Sequence, residues 1–268
     1  VKVKAKLDWM RGVIAALAVI GATLPIVFLG AATDPDILWK IVHGRCAVDE
    51  AKFGHPAPCT VVDLGRGFAI LKDIVGETQY LLIPTTRITG IESPAVLAPA
   101  TPNFFAEAWS ETDLVDARLG RTLPRQDLSL AINAVTGRTQ DQLHIHIDCI
   151  RADVRAALDR HRASVGPHWA RFPEPLAGES YRAIRIEGAE LGADPFTLLA
   201  DGEPGARAEM GAHTLVLVGE TFAGGRPGFV LLDNHADPAG GDMGNGEALQ
   251  DHACGLGHAA AAVVSGTQ

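Results

Sequence analysis

Positive charge is in short supply in this chain: 23 Lys and Arg against 32 Asp and Glu give a formal net charge of −9 and a pI near 5.5. That balance excludes a nucleic-acid partner held on a broad basic surface, because such partners are bound by neutralising a line of phosphates. Charge of either sign is missing from residues 12–32, GVIAALAVIGATLPIVFLGAA, and cysteine is missing from everything ahead of Cys46. No carboxylate cluster occurs, so the sequence calls for no metal and no cofactor. Nothing in the composition suggests disorder before a final stretch rich in Gly and Ala.

The uncharged run is long enough to span a membrane, whose hydrocarbon core takes about 20 residues. Lys2, Lys4, Lys6 and Arg11 precede it against one acid, Asp8, while Asp34 and Asp36 follow it. By the positive-inside rule the N-terminus is cytoplasmic and the remainder is exported, as in a single-pass protein of a bacterial inner membrane. A cleaved signal peptide is the rival reading, since small residues end the run, but its apolar region would be about 7–15 residues. An uncleaved anchor is therefore expected. In an exported domain the four cysteines read as two disulfides. Proximity favours Cys46 with Cys59, which leaves Cys149 with Cys254; free buried thiols are the alternative. A metal site from His252, Cys254 and His258 would lack a second ligand cluster.

Short β-rich runs at residues 60–63, 68–72 and 79–84, separated by Gly-containing turns, predict a meander. A helical pattern follows over 102–119, then strands at 128–134 and 143–150 and a helix over 152–163. Residues 168–175 read as a Pro-rich linker, and 181–187, 214–218 and 228–233 as strands. The segment HTLVLVGETFAGGRPGFVLLD echoes GFAILKDIVGETQYLLIP in layout. The expected organisation is a basic end and anchor (1–33), a first unit of strands and helices (34–165), a strand-rich half (166–237) and a poorly ordered Gly/Ala-rich tail (238–268). The fold class is α+β, an antiparallel meander sheet with helices.

Apolar alternation and reactive side chains coincide in residues 129–151, SLAINAVTGRTQDQLHIHIDCIR. On a strand, side chains alternate faces. Leu143, Ile145 and Ile147 therefore share a buried face, while Gln142, His144, His146 and Asp148 line the other. Two histidines at i and i+2 stand roughly 6–7 Å apart and can reach one ligand. Gly137, Arg138, Thr139 and Gln140 form a turn ahead of the strand, a source of N–H groups for an anion. A neutral imidazole facing a bound phosphoanhydride can attack phosphorus and split one hard displacement into two easier ones. Two other readings stand beside this one. The histidines could be half-buried structural residues, or they could be zinc ligands with Asp148 as third.

The words Gln142-Leu-His144-Ile-His146-Ile, with Asn133, Gly137 and Thr139 upstream, resemble the histidine triad hydrolases and transferases. So does the strand 80–88, YLLIPTTRI, which ends in Pro and then a basic residue. More narrowly, LLIPTTRITGIESP, TPNFFAEAW, LAINAVTGRTQ and HIHIDCIRADVR are similar to the membrane-bound CDP-diacylglycerol pyrophosphatases, over about residues 38–252. The resemblance implies hydrolysis of CDP-diacylglycerol to CMP and phosphatidate through a CMP-histidine intermediate, with the lipid bilayer and its lipid substrate as partners, residues 34–165 as a histidine-triad-like catalytic unit and 166–237 as a degenerate partner unit. It implies His144 as nucleophile and His146 as the residue that positions or polarises the phosphate. Asn133, Arg138, Thr139, Gln140, Gln142, Lys72 and Arg87 are the substrate-binding candidates. Gln142 departs from the family's pattern, which has His there, and Gln cannot carry a proton charge. Two competing functions remain: a histidine triad hydrolase of a soluble phosphoramidate or dinucleoside polyphosphate, and an exported metal-binding protein.

Overall fold

Runs of branched and aromatic residues bounded by Gly, Pro and Asp build the strands, and the computed structural model describes residues 34–258. The anchor expected over 12–32 lies outside the described residues. Among those described, no helix is long and apolar enough to cross a membrane. Nine strands form one sheet: β1 (Val61–Asp63), β2 (Phe68–Lys72), β3 (Tyr80–Pro84), β4 (Leu128–Ile132), β5 (Ile145–Cys149), β6 (Ala170–Arg171), β7 (Arg182–Glu187), β8 (His213–Phe222) and β9 (Arg226–His235). Their order is β1-β2-β3-β5-β4-β8-β9-β7-β6, and every pairing is antiparallel. The expected α+β class with an antiparallel sheet is what forms. The two hairpins of similar layout, β2–β3 and β8–β9, lie in different halves of this sheet, joined where β4 pairs β8.

Alternation sends Ile70, Leu82, Ile145, Ile147, Leu130, Leu217 and Leu231 into one large core. It is covered by α3 (Phe104–Ser110), α4 (Asp113–Leu119) and α6 (Pro195–Gly202), with the Phe105 and Phe196 rings meeting edge to face at 5.2 Å. The opposite face carries two separate cores. Ala69, Leu81 and Ile83 pack under α1 (Ile37–Ile41), which runs through a wide π turn into α2 (Ala47–Phe53). Ala131, Val216, Val218 and Val230 pack against Val154, Ala157 and Leu158 of α5 (Ala152–His161). Between those two cores runs the polar row of β5, because His146 pairs directly with both Leu81 and Ala131.

Several local expectations change. The helix over 102–119 breaks at Glu111–Thr112, where the Thr112 hydroxyl donates to the Trp109 carbonyl and competes with the helical ladder. The linker at 168–175 contains edge strand β6. Helix α6 was not anticipated, although Asp194 caps it at the Phe196 and Thr197 N–H groups ahead of Pro195.

The poorly ordered tail is the main correction. From Pro238 to His258 the chain is folded and laid across β4 and β5: Ala134 N–H donates to the Gly244 carbonyl at 2.9 Å, and Asp251 N–H donates to the Cys149 carbonyl at 2.9 Å. Its glycines serve close approach. A Cβ on Gly244, whose φ is +67°, would meet the Ala134 Cβ at 2.6 Å, and one on Gly137 would meet the Gly244 oxygen at 2.5 Å. Both disulfides favoured by proximity form, Cys46–Cys59 and Cys149–Cys254.

Because the Cys149–Cys254 bond closes a loop with a sequence separation of 105, replacing both residues by Ser should cost about 2–5 kcal/mol in denaturant unfolding. The unreduced, denatured wild type should show no maleimide-reactive thiol; four titrating thiols would contradict the pairing.

Candidate active site

Strand β5 presents His144 at its threshold and His146 within it, 8% and 4% exposed, with ring centroids 5.0 Å apart and planes at 67°. The Nδ1 of His144 lies 2.7 Å from the backbone oxygen of Gln142. A carbonyl only accepts, so Nδ1 carries the hydrogen and Nε2 keeps its lone pair. Burial pushes the His144 pKa below its ordinary value, against the opposing pull of that hydrogen bond. The ring is therefore neutral near pH 7, with a bare nitrogen.

His146 is buried more deeply. Its Nδ1 faces the Gln79 amide nitrogen at 2.9 Å and Glu247 Oε2 at 3.2 Å, and its Nε2 is buried with no hydrogen-bond partner among the described residues. Burial first, then the neighbouring His144 and His252, push its pKa down to about 3, with Glu247 pulling the other way. Glu247 takes hydrogen bonds from Asn133 Nδ2 at 3.0 Å and Gln79 Nε2 at 3.3 Å. Burial would raise its pKa, but the hydrogen bonds from Asn133 and Gln79 and the nearby His252 hold it low, so it is a carboxylate.

Asp148 continues the row and is fully buried. It accepts from Thr78 Oγ1 at 2.5 Å, from its neighbour's Cys149 N–H at 2.8 Å, and sits 2.7 Å from His252 Nδ1. Burial raises the Asp148 pKa despite these bonds, and the hydrogen bond to Asp148 raises that of His252. Gln250 closes the row, donating to the backbone oxygens of Ser129 and His146.

Not every predicted residue reaches this centre. His144, Asn133, Arg138 and Gln142 share a small cleft with Gly90, Ile132 and Leu143, with about 10 Å³ of room, about one water. Arg138 is there, but its guanidinium grips Glu92 through two hydrogen bonds of 2.5 and 2.8 Å and reaches Asp141 at 3.2 Å. Asn133 is committed to the tail, its Oδ1 accepting from the Gly246 and Glu247 N–H groups. Gln142 donates to the Pro84 and Thr86 carbonyls, so at the first position of the pattern it pins β3 to β5.

Gln140 ties the loop to the chain's early residues through the Asp34 oxygen and the Leu38 N–H, and Thr139 is exposed. Two candidates are not brought to the site. Lys72 stands on the other face of the sheet, in register with Tyr80 and so with Ile147, and donates to the Asp73 and Gly76 oxygens. Arg87 pairs with Asp36 and lies over the Trp39 ring at the surface.

The metal reading loses its third ligand, because both oxygens of Asp148 are engaged by Thr78, Cys149 and His252. Among the described residues no group of three His, Cys, Asp or Glu is disposed to hold an ion, and Cys254 is tied up in its disulfide. Five residues of the centre were missed from sequence: Thr78, Gln79, Glu247, Gln250 and His252. Gln79 carried a signal, since it alternates with Leu81 on a predicted strand. Glu247 and Gln250 carried none once the tail was read as disordered.

Two buried imidazoles on one strand face, one with a bare ring nitrogen, are backed by Asp148 of the sheet and Glu247 of the tail, an arrangement that suits a hydrolase. The model of the CDP-diacylglycerol pyrophosphatase family matches residues 33–258. A protein of Yersinia pestis named CDP-diacylglycerol pyrophosphatase is 40% identical over 249 residues, covering 92% of this chain and 95% of that protein. The chain belongs to the CDP-diacylglycerol pyrophosphatase family.

The His252–Asp148 link sets a pH dependence. A folded-state His pKa above its unfolded value, about 6.5, gives stability that is complete below that value and is lost as pH rises through the raised one. The difference in thermal midpoint between wild type and His252→Gln should accordingly be largest at mildly acid pH, where Asp148 is still ionised, and shrink above about pH 6.5. A difference that grows as pH rises through that value would show the link to be absent.

Proposed function

We propose that this chain hydrolyses CDP-diacylglycerol to CMP and phosphatidate through a CMP-histidine intermediate, with His144 as nucleophile. One observation carries the reading: the Gln142 carbonyl holds the hydrogen of His144 on Nδ1 and leaves Nε2 bare in a dry, buried setting. Family membership supports the substrate. The Nε2 lone pair attacks the cytidine-side phosphorus, an N–P bond forms, the P–O bond to the bridging oxygen breaks, and phosphatidate leaves as an anion that needs little protonation. Water then attacks the same phosphorus, the N–P electron pair returns to Nε2, and CMP departs. His146 faces the reacting phosphate, and Arg138, sharing the cleft with His144, adds positive potential while remaining on Glu92. The cleft is small, so the substrate enters with movement of the side chains that line it. The paired histidines on one strand face support a relationship to the histidine triad enzymes.

The lipid substrate also gives the expected anchor a purpose. A diacyl lipid stays in the bilayer, and an enzyme tethered there by residues 12–32, with its catalytic unit outside the cytoplasm, meets it at high effective concentration. N-terminal sequencing of membrane-extracted protein should find the run intact; a new terminus near Ala32 would establish cleavage instead.

His144→Ala should lower turnover by several orders of magnitude, whereas Gln142→His should retain most of it. Rapid quenching with substrate labelled at the cytidine-side phosphate should trap label on the protein through a bond that survives base and breaks in acid. Full activity in His144→Ala, with no trapped label in wild type, would reject the covalent route.

A further inference from the structure

We infer that Gln79 and Glu247 are positioning residues that hold His146 in its Nε2–H form, so that it presents a hydrogen-bond donor to a non-bridging oxygen of the reacting phosphate. The inference rests on the reading that a phosphoanhydride reacts at His144, and it follows from which atoms can only accept. Glu247 Oε2 lies 3.3 Å from the Gln79 amide nitrogen. Turning that amide over would set its carbonyl oxygen against the carboxylate, so the NH₂ group must face Glu247. The same NH₂ has a second hydrogen, and His146 Nδ1 stands 2.9 Å from it. Glu247 Oε2 is also 3.2 Å from Nδ1, but it makes no hydrogen bond with that nitrogen whereas the amide does, so Nδ1 accepts and the single hydrogen of the neutral ring sits on Nε2.

Glu247 is itself fixed, because Asn133 donates to its Oε1 at 3.0 Å and accepts from its backbone N–H at 3.3 Å. The far end of this relay is His146 Nε2, which has no partner among the described residues. A buried donor without a partner is rare and calls for a reason; a phosphate oxygen supplies one. His144 has the opposite form, its hydrogen on Nδ1 toward the Gln142 carbonyl. Two rings with centroids 5.0 Å apart thus divide the work, one offering a lone pair and the other a hydrogen. Burial reinforces the assignment by keeping His146 neutral despite the nearby carboxylate.

The test uses the full chain with ring-nitrogen-15 histidine, the His146 signals being assigned by their loss in His146→Asn. Wild type should show the His146 proton on Nε2 and a bare Nδ1. Gln79→Glu replaces the amide donor by an acceptor of the same shape; it should move the proton to Nδ1 and lower kcat on CDP-diacylglycerol about 100-fold, the scale of losing one oxyanion donor. KM should change little, since the donor acts on charge developing in the transition state. Glu247→Gln should act in the same direction. A wild-type proton on Nδ1, or an unchanged kcat in Gln79→Glu, overturns the assignment, and the wild-type spectrum decides alone if the variants do not fold. Trapping of labelled CMP on the protein is read separately. The Nε2 proton with no trapped adduct leaves this inference standing and removes the covalent route, whereas trapped adduct with the proton on Nδ1 does the reverse.

Discussion

A strand buried on both faces cannot carry a row of polar side chains unless something above it supplies their partners, because an unpaired polar group in a dry interior costs about 1–3 kcal/mol. Strand β5 meets that constraint. Its lower face puts Ile145 and Ile147 into the main core, and its upper face bears His144, His146 and Asp148. The partners come from far along the chain: Glu247, Gln250 and His252 descend from the tail, and Thr78 and Gln79 come from the lead into β3.

This explains why the tail is folded although it is rich in Gly and Ala. Asn133 holds residues 246 and 247 by their N–H groups, the Cys149–Cys254 bond fastens the end of β5 to the tail, and glycines at 137 and 244 let two backbones touch. The sheet leaves room for the arrangement by dividing its upper face into two apolar cores, one under α1 and α2 and one under α5, with a polar gap between them. Chemistry and stability thus draw on the same contacts. The dryness that keeps both imidazoles neutral is made by the segment that orients one of them.

Charge is handled in the same spirit. Arg138 sits beside His144 yet is bound to Glu92, and a Cβ on Gly90 would lie 2.2 Å from its Nη1, so the guanidinium is packed against backbone. Buried Arg155 likewise meets Glu220 at 2.6 Å between α5 and β8. Each buried ion has a partner at hydrogen-bond distance, as the expense of burying an unpaired charge requires.

The sequence by itself determined whatever depends on local periodicity. Alternation in residues 142–148 assigned the two faces of β5 correctly, the β-rich runs became strands within a few residues of where they were expected, and the cysteine count with simple proximity gave both disulfides. The reactive pair His144 and His146 was visible because it lies on a single strand. Which residues would surround that pair was decided only by tertiary structure. Lys72 is close to the site in strand order but points to the other face, and Arg87 was drawn to Asp36, because direction and pairing depend on register. Glu247 is separated from His146 by β6 to β9, and no local pattern marks it. Its place is set by a long-range fit of glycine backbone to glycine backbone, an interaction that composition alone reads as looseness.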